Sequence, residues 1–441
     1  MKRLSTILPA ALAATCLGWA SPAAATIDGL TRSGPAADFS FVARADRIVT
    51  PDGGSIHFWG YADAATGQAQ YPGPTMIVDE GATVTVRLKN TLPLPVSIVF
   101  PGQEGVLANG GNPGITTNEA PGDGLTEVTY TFTAKSPGTY TYYSGTKPEL
   151  EIEMGLVGAL IVRPASGSNR AYNSAETTFD REYLFLLTDM DPVIHDQVDL
   201  GNIGAVDLTK RFPVYWFING RAAPDTMFEP YTGWLPNQPY NSMPMMEPGD
   251  KLLMRVVNGG RDLHPFHQHG NHARIIARDG RVLQTPASTT DLLDLSYEVF
   301  TFQAVPGQTM DGIFTWTGAG MGWDIYGHAP GDPLQPNEDP ADHGKPLPVL
   351  LPEKQDLTFG GFWSGSPYLG AMAALPPGEG GLNPASGFVY MWHSHTEKEM
   401  VNNDVFPGGM MTMLVIVPPG MLGGMAMPDV PMGVNPFFGG Q

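Results

Sequence analysis

Apolar and polar positions alternate at period two in short runs along this chain, the pattern of half-buried β-strands. Residues 75–90, TMIVDEGATVTVRLKN, carry it around the turn Asp79-Glu80-Gly81. Residues 127–134 (EVTYTFTA), 138–143 (GTYTYY) and 156–163 (LVGALIVR) repeat it. These runs predict one sandwich over residues 26–165. A stretch rich in Ser, Asn and Ala at 165–177 reads as a linker. Strand-like runs return at 183–188, 214–218, 251–257, 273–277, 297–303, 387–392 and 412–417, predicting a second unit over 178–419. The 54 glycines and 42 prolines fall between these runs, which argues for many short strands joined by tight turns in an all-β sandwich class.

Two local patterns recur and predict an internal repeat. A Glu-Gly or Pro-Gly turn leads into a strand ending in Asn at Gly81…Asn90 and again at Gly249…Asn258. A Pro-Gly turn then leads into an aromatic strand at Gly138…Tyr143 and at Gly307…Trp316. Residues 318–386 hold Gly, Pro and acids without periodicity and read as a loop-rich insertion in the second unit. The Met-rich tail, 420–441, reads as unstructured or loosely docked.

Residues 1–25 have the form of an export signal. Lys2 and Arg3 open it, Ile7 to Trp19 form a short apolar run, and Ala23-Ala24-Ala25 supply small residues for cleavage. The expectation is a periplasmic or secreted protein. The single cysteine, Cys16, lies inside this segment, so the mature chain is expected to have no thiol for a disulfide or a metal. Lys plus Arg total 24 against 44 acids. Removing Lys2 and Arg3 leaves 22 against 44, a net −22. That balance, with no basic stripe, argues against nucleic acid and anionic membrane as partners.

Candidate chemistry is concentrated in the histidines. HPFHQHGNH runs from His264 to His272 and HSH from His393 to His395, holding six of the ten histidines. Residues two apart on a strand share a face, so His267 pairs with His269 and His393 with His395. If the two strands meet, four imidazoles converge on a point that suits Cu, Zn, Fe or Ni. His264 and His272 are outer candidates, as ligands or as orienting groups. Glu397 and Glu399 read as a solvated loop, with completion of a metal site as the alternative. His57, His195, His328 and His343 stand alone and read as structural or exposed. Met243, Met245, Met246, Met410, Met411 and Met413 read as packing. The tail methionines are open to either packing or gathering soft Cu(I).

HPFHQHG resembles the H-P-x-H-x-H-G motif of multicopper oxidases, and WHSHTEKEM…PGGMM resembles their closing H-C-H-x-x-x-H…G-M element. In the first unit, YPGPTMIVDEGATVTVRLKN is similar to the family's Y-P-G-P-T-I…G-D-x-V-x-V…N segment. GTYTYYSGT…MGLVGALIV is similar to its G-T-Y-W-Y-H-S-H-T…G-L-x-G-x-L-I-V segment. Four motifs in order cover most of 55–165 and 210–420. The resemblance implies two cupredoxin-like Greek-key sandwiches, copper as cofactor, and a homotrimer with copper bound between neighbouring subunits.

The departures matter as much as the likeness. Val99-Phe100-Pro101-Gly102 stand where the family has H-W-H-G, and Tyr143-Ser144-Gly145 where it has H-S-H, so the four first-domain cluster ligands are missing. His267, His269, His393 and His395 match the second-domain cluster ligands. At the blue-copper position His264 is kept, but Ser394 replaces the cysteine and Glu399 falls at the second histidine. Serine does not ionise in water's pH range and is a poor soft donor, so four-electron oxygen reduction is not expected of this chain alone. The expected function is copper binding at a mononuclear site with limited or specialised redox activity. Two rivals are an oxidoreductase completed by a redox or exported partner chain, and a copper-free scaffold for protein binding. Zinc is the alternative metal, since it also accepts neutral imidazoles.

Overall fold

The structure is a computed structural model that describes residues 27–167, 169–286, 292–325, 328, 331–335, 338–346, 358–359, 362–363, 388–417 and 422. The export-signal reading of 1–25 and the reading of the tail, apart from Leu422, lie outside the described residues. So does most of 347–387.

The chain folds into two β-sandwiches. In the first, a four-stranded sheet runs in the order Leu30–Arg32, Met76–Asp79, Val157–Arg163 and Gly138–Tyr143. A six-stranded sheet faces it, ordered Ala69–Gln70, Ser55–Asp63, Ala36–Val49, Thr83–Asn90, Val128–Thr133 and Leu107–Gly110. The burial of Thr83–Asn90 alternates strictly, with Val84, Val86 and Leu88 inward. The hairpin of Ala36–Val49 with Ser55–Asp63 was not among the strands expected from sequence. Its alternation holds from Ala36 to Ala43 and dissolves at Arg44, Asp46 and Arg47, where the strand runs along the surface.

The second sandwich has a seven-stranded sheet built on Tyr215–Ile218, Arg181–Met190, Lys251–Asn258, Thr309–Thr315, Ala273–Arg278 and Arg281–Val282. Tyr297–Val299 also pairs with Ala273–Arg278. The opposing five-stranded sheet runs Met245–Met246, Met411–Ile416, Phe388–Ser394, His264–Gln268, Thr301–Ala304. Val157–Arg163 and Arg181–Met190 are buried almost throughout because each is covered on both faces. The covering is mutual: Ile77, Ala159 and Ile161 of the first sandwich pack on Leu184, Leu186 and Val257 of the second.

The repeat holds at atomic detail. Asn90 Nδ2 donates to the carbonyls of Leu94 and Ala120, and its Oδ1 accepts from Leu92 N. Asn258 Nδ2 donates to Asp262 and Ala304, and its Oδ1 accepts from Gly260 N. Each strand therefore ends in the same buried amide clamp. Residues 165–177 do more than link: Ala171, Tyr172 and Thr177 are buried, and Tyr172 donates to Asp311 of the second sandwich. Beyond Thr315 the chain is also tied down, with Trp323 and Ile325 joining Trp316, Tyr390 and Trp392 in the core.

Candidate metal centre

The register places the two histidine runs side by side. His264–Gln268 and Phe388–Ser394 pair antiparallel with His267 opposite His393, and His395 N continues the contact by donating to Pro265 O at 2.8 Å. Because successive side chains alternate, Phe266 and Gln268 point inward while His267 and His269 point outward. One nitrogen from each of His267, His269 and His393 lies within a group no wider than 4.8 Å. His269 Nε2 and His393 Nε2 are 3.2 Å apart. His395 flanks this group, its ring centroid 4.9 Å from that of His267 and 5.6 Å from that of His393. It is the exposed member of the four.

The protons are arranged for metal binding. His393 Nδ1 donates to the Ser394 carbonyl at 2.6 Å, which leaves Nε2 as a lone pair facing the cluster. His267 Nδ1 meets the Thr301 hydroxyl at 2.9 Å, orienting that ring. Burial, reinforced by the neighbouring imidazoles, pushes the pKa of His269 down to about 4 and lowers those of His267 and His393. Three neutral imidazoles therefore converge at neutral pH. With metal–nitrogen bonds of about 2.0–2.1 Å, ligand atoms in a tetrahedral site sit about 3.4 Å apart. The 3.2 Å separation of His269 and His393 is of that size, so the donor set fits a borderline transition metal such as copper or zinc.

The outer candidates lie elsewhere. His264 alternates to the opposite face, fully buried, and both of its nitrogens are engaged by carboxylates. Nδ1 meets Glu399 Oε2 at 2.9 Å and Nε2 meets Asp189 Oδ2 at 2.9 Å. With a carboxylate against each nitrogen, neither nitrogen is open to the histidine cluster. His272 is exposed and packs edge-on against Phe300, centroids 5.3 Å apart. Glu399, expected in a solvated loop, is buried on a short turn of 3-10 helix, Glu397–Met400, whereas Glu397 is exposed. The second carboxylate on His264 was out of reach of sequence reasoning, because Asp189 and His264 stand 75 residues apart on different sheets.

Asp189 extends the arrangement. Arg211 pairs with Asp189 and with Glu153, and Glu153 faces His195 at 3.7 Å. A buried chain of charges thus runs from His264 in the second sandwich to Glu153 in the first. In the first sandwich, Val99 and Tyr143 pair through their backbones, N to O at 2.9 and 3.3 Å. Val99, Phe100, Pro101, Tyr143 and Gly145 line a cavity of about 720 Å³ whose lining includes no histidine. Ser144, which is buried, donates to Glu151, whose carboxyl is pushed up to about 7 by burial.

Residues 51–167 match the family model described as Multicopper oxidase. Over 224 residues the chain is 26% identical to a probable nitrite reductase-hydroxylamine oxidoreductase fusion protein of Kuenenia stuttgartiensis, covering 48% of this chain and 22% of that protein. Over 274 residues it is 25% identical to a copper resistance protein A homolog of Pseudomonas syringae pv. tomato, covering 55% and 44%. The chain thus spans less than half the length of these relatives. Its fold is shared with the blue copper oxidase of Nitrosomonas europaea, with a TM-score of 0.55 at 20% identity over 86% of this chain and 85% of that one.

Proposed function

We propose, from the premise that this chain belongs to the multicopper oxidase family and that its cofactor is copper, that one copper ion is held by the second sandwich alone. His267, His269 and His393 hold it, with His395 at its rim. The observation that carries this reading is the convergence of three neutral imidazole nitrogens within 4.8 Å, two of them 3.2 Å apart. Copper bound there supplies a one-electron centre that is slow to change oxidation state, because its ligands are all nitrogen and no thiolate couples it to an electron donor.

The chain's own residues set the limits of that chemistry. Ser394 Oγ accepts from Thr396 N at 3.2 Å, and Glu399 and Asp189 occupy both nitrogens of His264. At the family's blue-copper position His264 and Glu399 therefore bond to each other, and Ser394 bonds to Thr396. The walls formed by Val99, Phe100, Pro101, Tyr143 and Gly145 offer no imidazole to a second or third copper. We read the protein as a copper binder with limited redox activity, exported if residues 1–25 act as a signal. No helix among the described residues is long and apolar enough to cross a membrane.

The test is electron paramagnetic resonance with metal analysis on Cu(II)-loaded, desalted protein. One copper in a type 2 spectrum with nitrogen hyperfine splitting, absent in His267→Ala, is the expected result. Loading and spectrum unchanged in His267→Ala and His393→Ala would sink the reading and leave a scaffold. Rapid oxygen uptake with a phenol by the pure protein would instead favour an oxidase completed in another way.

A further inference from the structure

Two histidines that look isolated in sequence meet in the segment after the last strand of the seven-stranded sheet. Asp324, His328, Glu338 and His343 each offer one donor atom, and the four atoms lie within 4.8 Å of one another. The contacts are crosswise. His328 Nδ1 is 2.9 Å from Asp324 Oδ2 and 3.2 Å from Glu338 Oε1. His343 Nδ1 is 2.6 Å from the same Glu338 Oε1 and 3.9 Å from the same Asp324 Oδ2. Here both imidazoles turn the same nitrogen toward the same oxygen of each carboxylate, and these separations bracket the roughly 3.4 Å edge of a four-coordinate site.

The surroundings point the same way. His343 Nε2 lies 3.0 Å from the Asp332 carbonyl, which only accepts, so Nε2 carries a proton. Nδ1 then faces two carboxylate oxygens, a place filled either by a second ring proton or by a cation. Asp324 Oδ2 also accepts from Gly344 N at 2.7 Å, and Glu338 Oε2 from Gln335 N at 2.8 Å. Such outer bonds fix the rotamers of metal-binding carboxylates and imidazoles. The side chains of Asp324 and Glu338 are 0% and 3% exposed, and buried carboxylates need compensating positive charge. A divalent ion with two neutral imidazoles supplies it exactly once for the pair.

We propose that Asp324, His328, Glu338 and His343 form a second metal site, separate from the histidine cluster, for a divalent first-row transition ion of the zinc type. Two imidazoles exclude calcium and magnesium, and two carboxylates disfavour Cu(I). The ion would tie both ends of the segment 324–343 together, next to Trp323 and Ile325, which anchor it in the sandwich core.

The experiment is zinc titration followed by desalting and metal analysis of the full-length mature protein, with Glu338→Gln, His343→Ala and His393→Ala alongside wild type. Wild type is expected to retain one more zinc than either Glu338→Gln or His343→Ala. Both variants should keep the copper spectrum of the histidine cluster, which also reports that they fold. The zinc affinity lost should exceed the about 10–100-fold that removal of a supporting partner costs. His393→Ala should keep this zinc. Wild-type zinc content in both Glu338→Gln and His343→Ala would overturn the proposal. So would a wild type whose only zinc disappears in His393→Ala, leaving the four side chains as an ion-pair cluster.

Discussion

Glu151 shows how much a single buried group can report. Its carboxyl accepts from Ser144, with its pKa raised to about 7 by burial. An unfolded chain would titrate it near the ordinary glutamate value of 4.5. The folded state therefore holds the proton more tightly, and the stability it confers is present at low pH and lost as pH rises toward 7 and beyond. Glu151→Gln imitates the protonated acid. It should leave stability unchanged at pH 4.5 and raise it by about 1–3 kcal/mol at pH 8, as read from urea midpoints. A variant destabilised at both pH values would show that the carboxylate form is the one the fold uses. The histidines were legible one by one in the sequence, whereas Glu151 and Glu399 were not. A carboxylate's burial depends on what the fold sets opposite it.

At the scale of elements, the asparagine clamp is the feature that positions the metal strands. Asn258 closes the strand Lys251–Asn258, bonds Asp262 just before His264, and bonds Ala304 at the end of the strand that pairs with His264–Gln268. Asn258→Ala removes three buried hydrogen bonds and strands two carbonyls. The expected loss is about 2–4 kcal/mol by chemical denaturation, with weakened copper retention. Copper retention equal to wild type would separate the clamp from the site. Sequence reasoning reached this far because the repeat writes itself as turn, alternating strand and Asn. The runs 138–143 and 156–163 emerged as the strands Gly138–Tyr143 and Val157–Arg163. It failed where alternation lapses. The surface half of Ala36–Val49 carries charges on both faces, and the Asp324–His343 cluster draws its ligands from an aperiodic segment with no period to read.

At the scale of the molecule, the two sandwiches share charge as well as apolar area. Arg255 is fully buried, donating to Glu182 at 3.1 Å and to Thr139 of the first sandwich at 2.9 Å. Arg211 joins Asp189 to Glu153 across the same junction. Since Asp189 also holds His264, the residue at the blue-copper position is one end of the inter-sandwich network. Ser394→Cys is therefore expected to gain no intense colour with Cu(II), because the thiolate gains no free imidazole to share the metal with. An intense blue charge-transfer band in that single variant would refute the argument. Freeing His264 would mean neutralising Glu399 and Asp189 together. Losing Asp189 would leave Arg211 with one fewer buried partner, at a penalty of several kcal/mol. Each step toward a thiolate-bound copper thus passes through a protein less well joined than the present one.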